Sequence, residues 1–217
     1  METNTTPKLA VGQLIIAALI AVTSKLTKAA RDTFTKVFTA LTQAEEAVKT
    51  ADALVEDVTQ RCQAADDAQG RATLELATKM SGDGFGRLNP FKAFSVVNPS
   101  KVRSLGHSNE ADVLIGLAAR VRVHHQSSTA TKKAAVDVER TAKAMKAVDA
   151  ERLKALDKRA AAVKHRDGLH SSYAAALTNL RSSIKYADYA EQTSHYLNVF
   201  PRVVRPKKKQ STPAPVG

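Results

Sequence analysis

Tryptophan is absent from this 217-residue chain, cysteine occurs once, and aromatic residues make up only 5% of it. With Cys62 alone no intramolecular disulfide can form, so a reducing compartment is compatible. Alternating β-branched runs are nearly missing, so almost no sheet is expected. Glycine and proline, 9 and 7 in number, are few outside residues 81–107 and the C-terminal tail. No catalytic constellation stands out. The six histidines include no i,i+4 pair, and no H-E-x-x-H occurs. The adjacent acids Glu45-Glu46 and Asp66-Asp67 point to different sides of a helix. The GDGFG run at 82–86 lacks the Lys-Ser/Thr of a phosphate cradle. Cys62 falls on an apolar stripe and reads as packing rather than as a nucleophile. The expectation is a protein that is not an enzyme, with no cofactor and no metal.

A long hydrophobic run is also lacking. Leu9–Val22, LAVGQLIIAALIAV, has 14 residues, short of the roughly 20 a membrane-spanning helix needs. The preceding METNTTPK offers Lys8 as its only basic side chain, and no small-x-small cleavage site follows, so a secretory signal is not expected. This leader, residues 1–23, is expected to be the start of the first helix or an amphipathic segment entering a membrane through Leu14, Ile15, Leu19 and Ile20. The expected location is cytoplasmic and peripheral to a membrane.

What is there is helix-forming sequence with an uneven charge. Residues 1–107 carry 13 Lys+Arg against 11 Asp+Glu, and residues 108–217 carry 20 against 10, making up the net +12. A basic half suits an acidic partner. From residue 24 to 80, Phe34, Leu41, Val48, Val55 and Cys62 recur every seven residues. Val37, Ala44, Ala51, Val58 and Ala65 follow three positions later. These are the a and d positions of a coiled coil, and Phe34, Leu41, Val48 and Val55 are the expected self-association seam of a homodimer or higher oligomer. A continuous helix over this span would be roughly 85 Å long.

Gly82, Gly84 and Gly86 end that helix. Residues 81–107 then hold Phe85, Phe91 and Phe94, with Pro90 and Pro99 excluding the preceding residues from helix. This segment either folds back to cap the bundle or exposes its aromatics to lipid or a neighbouring subunit. A helix restarts at Ser108-Asn109-Glu110, weakens at 126–131, and resumes at Lys132. Within it, ERTAKAMKAVDAERLKALDKRAAAVKHR (Glu139–Arg166) has no Gly, Pro or aromatic residue. At 100° per residue, Lys132, Lys133, Arg140, Lys143, Lys146, Lys154, Lys158 and Lys164 fall in one arc of about 140°. They form a basic rail opposite an apolar face, which Arg152, Arg159 and Arg166 flank. Asp167-Gly168 is a plausible break. Tyr173, Leu177, Leu180 and Ile184 give a further apolar stripe, and the Pro-rich tail 201–217, with Lys207, Lys208 and Lys209, is expected to be disordered.

The fold class expected is all-α, an elongated antiparallel coiled-coil bundle of two to three long helices, with one helical domain at 24–200. ALTQAEEAVKTADALVEDVTQRC, ATLELATKM, NEADVLIGLAARV and HRDGLHSSYAAALTNLRSS are together similar in patterning to a BAR domain of the sorting-nexin type. The resemblance implies a curved homodimer of three-helix protomers binding anionic membranes through the rail, assisted by the leader. The departure is that only about 32 residues follow Gly168 for a third arm. Nucleic acid is the rival partner. A self-assembling coat protein would use the heptads for subunit packing, and the rail and tail lysines for phosphates. A structural coiled-coil subunit is a third reading.

Overall fold

The structure, a computed structural model, describes residues 6–200. Every regular element among them is helical: α1 (Thr6–Leu19), α2 (Lys28–Gly82), α3 (Pro99–Val102), α4 (His107–Val123), α5 (Thr129–Glu191) and α6 (His195–Val199). Single 3-10 turns lie at Lys25–Thr27 and Pro90–Phe94. The all-α class is therefore observed. α2 ends at Gly82, where the glycine cluster predicts it. Asp167-Gly168 does not break the last long helix: α5 runs through it for 63 residues. A glycine within a helix costs about 1 kcal/mol relative to alanine, and the apolar contacts made on either side outweigh that. The break at 124–128 is real. Ser128 accepts from the Thr131 N–H at 3.3 Å and so caps α5, while its own N–H donates to the Asp83 carboxylate at 2.7 Å.

The described residues pack as two compact units: unit 1 is residues 6–45 and 165–200, and unit 2 is residues 46–164. α2 and α5 contribute a stretch to each. In unit 1 the core joins Ile15, Leu19 and Val22 to Phe34, Phe38 and Leu41 of α2 and to Tyr173, Leu180 and Ile184 of α5. Tyr173 packs against both Phe34 and Phe38, with ring centroids 5.7 and 6.5 Å away. Helix α1 lies so close over α2 that a Cβ on Gly12 would sit 2.2 Å from Phe38 Cε2, so only glycine permits this approach. Asp188 fastens α6. Its carboxylate accepts from Thr193 Oγ1 at 2.6 Å and from the backbone N–H groups of His195 and Tyr196 at 2.9 and 2.7 Å. Burial would raise its pKa, and these three donors prevail and hold it below the usual carboxylate range.

Unit 2 packs α2, α4 and α5 together, with segment 83–105 folded over their end. Phe85, Phe91 and Phe94 are buried beside Leu76, Met80, Leu114 and Val138. The segment caps the bundle, and its aromatics are not displayed to a membrane. It returns on itself at Ser95, whose backbone is left-handed (φ 57°), and Asn98 accepts the Lys101 N–H at 2.9 Å to start α3.

Inside each unit α2 and α5 run antiparallel. In unit 1, Phe38 meets Tyr173 and Glu45 meets Arg166. In unit 2, Asp52 binds Arg159, and Thr59 lines the same small cavity as Arg152. A step of seven forward on α2 is a step of seven back on α5, the register of an antiparallel coiled coil. On α5 one heptad position carries Thr131, Val138, Met145, Arg152, Arg159, Arg166, Tyr173, Leu180 and Ala187. All are buried except Arg152, which is half-buried, and Arg159, which is exposed. A seven-residue stripe drifts about 20° per heptad against a straight 3.6-residue helix. The rail residues stay outside this stripe once that drift is followed. The arginines expected to flank the seam stand in it.

Candidate functional site

Two surfaces and one interior cluster bear chemistry, each within a single unit. In unit 2, Lys133, Arg140, Lys143, Lys146, Lys154, Lys158 and Lys164 are exposed along α5, and Lys132 is half-buried. They divide into two groups. Arg140 pairs with Asp137 at 3.2 Å, Lys143 with Glu139 at 2.5 Å and Lys146 with Asp112 at 2.6 Å. Among the described residues, Lys132, Lys133, Lys154, Lys158 and Lys164 form no ion pair. The rail is thus two clusters of uncompensated lysines separated by a neutralised stretch. Glu139 shows the compensation directly, since Lys143 and then Arg122 hold its carboxyl below the usual range. Lys207, Lys208 and Lys209 lie outside the described residues.

In unit 1 the four leader residues divide as well. Ile15 and Leu19 are 3% and 6% exposed and belong to the core, which corrects their assignment to a membrane. Leu14 and Ile20 are 71% and 82% exposed. Val11 is exposed too, and residues 9–22 carry no charge. α1 thus turns one face onto Phe38 and its neighbours and leaves Val11 and Leu14 open beside Gln13, with Ile20 exposed in the turn that follows.

The seam assigned to self-association is occupied from within. Phe34, Leu41 and Val48 are buried in a single chain, the first two against α5 of the same unit, and Val55 is half-buried. A heptad stripe does not say whether its partner helix comes from another chain, and here α5 supplies it. A second copy would have to use other surfaces.

The interior cluster was not legible in the sequence. Glu110 at the start of α4 is buried, and so is Gln69 of α2, whose amide has neither atom hydrogen-bonded. The Arg103 guanidinium crosses above Gly70, 3.3 Å from where its Cβ would be, and His107 Nδ1 is 3.7 Å from Asp66. Burial pushes the Glu110 carboxyl above its ordinary range, with Asp66 adding to the effect, while Arg103 and His107 oppose it. An acid in the first turn of a helix suggests a solvated residue favoured by the helix dipole. The one hint otherwise is Gln69-Gly70, whose glycine is the only one in α2 before the terminal Gly82. Beside it, Thr59, Cys62, Gln63, His107 and Arg152 line a cavity of about 110 Å³. Burial raises the Cys62 thiol pKa and Arg152 draws it back. No group of three or more His, Cys, Asp or Glu gathers to hold a metal among the described residues, and no described helix is long and apolar enough to cross a membrane.

No family model, curated protein or solved structure matches this chain.

Proposed function

We propose that this chain is a non-enzymatic helical protein that binds anionic membrane surfaces, with the open face of α1 entering the lipid interface. The observation that carries the reading is the pair Leu14, 71% exposed on α1, and Ile20, 82% exposed in the turn just after it, beside a helix face that is fixed in the core. Burying a large aliphatic side chain contributes about 1.5–3 kcal/mol, and each basic residue near an anionic leaflet about 1 kcal/mol. Two apolar anchors contribute about 3–6 kcal/mol, and the uncompensated lysines of unit 2 are a separate attraction for anionic lipid. The BAR-like patterning points to the same ligand, with the role of the rail falling to Lys132, Lys133, Lys154, Lys158 and Lys164.

Co-sedimentation with vesicles of phosphatidylserine and phosphatidylcholine tests it. Leu14→Ser/Ile20→Ser alters only exposed side chains, so the fold should persist while binding drops at least tenfold. Lys154→Glu/Lys158→Glu should also weaken binding, and by more at low salt. Binding unchanged by the α1 pair, or none by the parent, overturns the reading.

The five uncompensated lysines on one helix favour a second reading, attachment to a nucleic-acid backbone. No aromatic residue interleaves them for base stacking, and lysine rather than arginine gives no bidentate base readout. Such binding would be insensitive to sequence and to Leu14→Ser/Ile20→Ser.

A further inference from the structure

We propose that unit 2 holds a binding groove for a single-chain amphiphile with an anionic head, a fatty acid or similar acyl anion, laid across α4. The inference is independent of the membrane reading, which rests on α1.

The groove has a volume of about 570 Å³ and is walled by Val96, Val97 and Leu105, with Val113 and Gly116 of α4 as its floor. That volume suits a small ligand. A helix about 10 Å across would fill it in less than two turns, so a partner helix is the poorer occupant. A Cβ on Gly116 would meet nothing within 4 Å, so the floor is open where any other residue would begin to fill it. Val97 and Leu105, which line this groove, are both exposed.

Charge selects the head group. Asp112, Gly116 and Arg120 are spaced four apart and share one face of α4, placing one acid and one base beside the floor. Asp112 is neutralised by Lys146 at 2.6 Å. Arg120 forms no ion pair among the described residues, whereas Arg122, two positions on, is held by Glu139 at 2.8 Å. The groove is thus apolar with a single uncompensated guanidinium. A carboxylate can meet that group with two parallel hydrogen bonds while an acyl chain covers the valines and the leucine.

Calorimetric titration of the full chain with myristate, kept below its aggregation concentration, tests this, with myristyl alcohol as the head-group control. The parent should bind one myristate. Arg120→Gln should weaken myristate at least tenfold and leave the alcohol unchanged, and Arg122→Gln should change neither. Gly116→Leu should abolish binding of both, and since it replaces an exposed helical glycine with a better helix former, its melting temperature should hold or rise. That separates a blocked groove from a lost fold. The proposal is overturned if the parent shows no saturable binding, if Gly116→Leu binds like the parent, or if Arg120→Gln weakens acid and alcohol equally.

Discussion

Arg166 and Glu45 are 8% and 7% exposed and stand 3.8 Å apart in the interior of unit 1. The arginine also donates to Asp167 at 2.9 and 2.7 Å, while Glu45 Oε1 accepts no hydrogen bond. Removing one member of such a pair strands the other, at about 3–5 kcal/mol, whereas replacing both with apolar residues is often neutral or stabilising. Arg166→Met should destabilise by about that amount, and Glu45→Leu/Arg166→Met should recover most of it. Denaturant unfolding of both singles and the double closes the cycle, and additive effects would show that the pair is not coupled. Glu110 offers a pH test. Its folded pKa lies above its unfolded one, so in the window between them the folded state keeps a proton that the unfolded state releases. Stability therefore falls as pH rises through that window, and the loss is complete above the folded value. Glu110→Gln should melt higher than the parent at neutral pH, with the difference vanishing below the ordinary carboxyl range of about 4. Neither residue announces its burial in the sequence. An arginine and a glutamate on long helices read as surface, and only the register of the opposing helix brings them inside.

At the scale of elements, the sequence is most informative where one periodicity dominates. The stripe from Phe34 to Cys62 and the stop at Gly82 are read directly, because apolar residues and helix breakers agree there. Gly168 misleads because a local preference of about 1 kcal/mol competes with packing on both sides that no local pattern displays. α1 is undecidable from sequence for another reason. With no charge between Leu9 and Val22, nothing marks which face turns inward, and Gly12 settles it by allowing contact with Phe38. Gly12→Ala should therefore destabilise unit 1 by about 1–3 kcal/mol through overpacking, although alanine is the better helix former. Phe38→Leu in the same chain should relieve part of the loss. Hydrogen exchange across residues 9–19 would report it, and unaltered protection there would mean that α1 is held by other contacts.

For the molecule as a whole, net charge overstates the basic surface. Of the +12, the rail contributes five lysines that no acid offsets among the described residues. If all five met phosphates of duplex DNA, log affinity would fall against log salt with a slope of about −4 to −5. A slope near −7, requiring the paired Arg140, Lys143 and Lys146 as well, would show that those ion pairs open on binding. The division into two units is invisible to sequence reading because α2 and α5 carry their heptads through both. Yet each unit holds one buried side chain that stands apart from others of its kind among the described residues. Cys62, the lone thiol, is buried in unit 2 with its pKa raised by that burial. Tyr173 is the buried tyrosine of unit 1, set among phenylalanines in a chain with no tryptophan to mask it. The protein thus carries two intrinsic reporters. The rate at which a disulfide reagent labels the thiol counts openings of unit 2, the near-ultraviolet dichroism of the tyrosine follows the packing of unit 1, and neither requires an added dye.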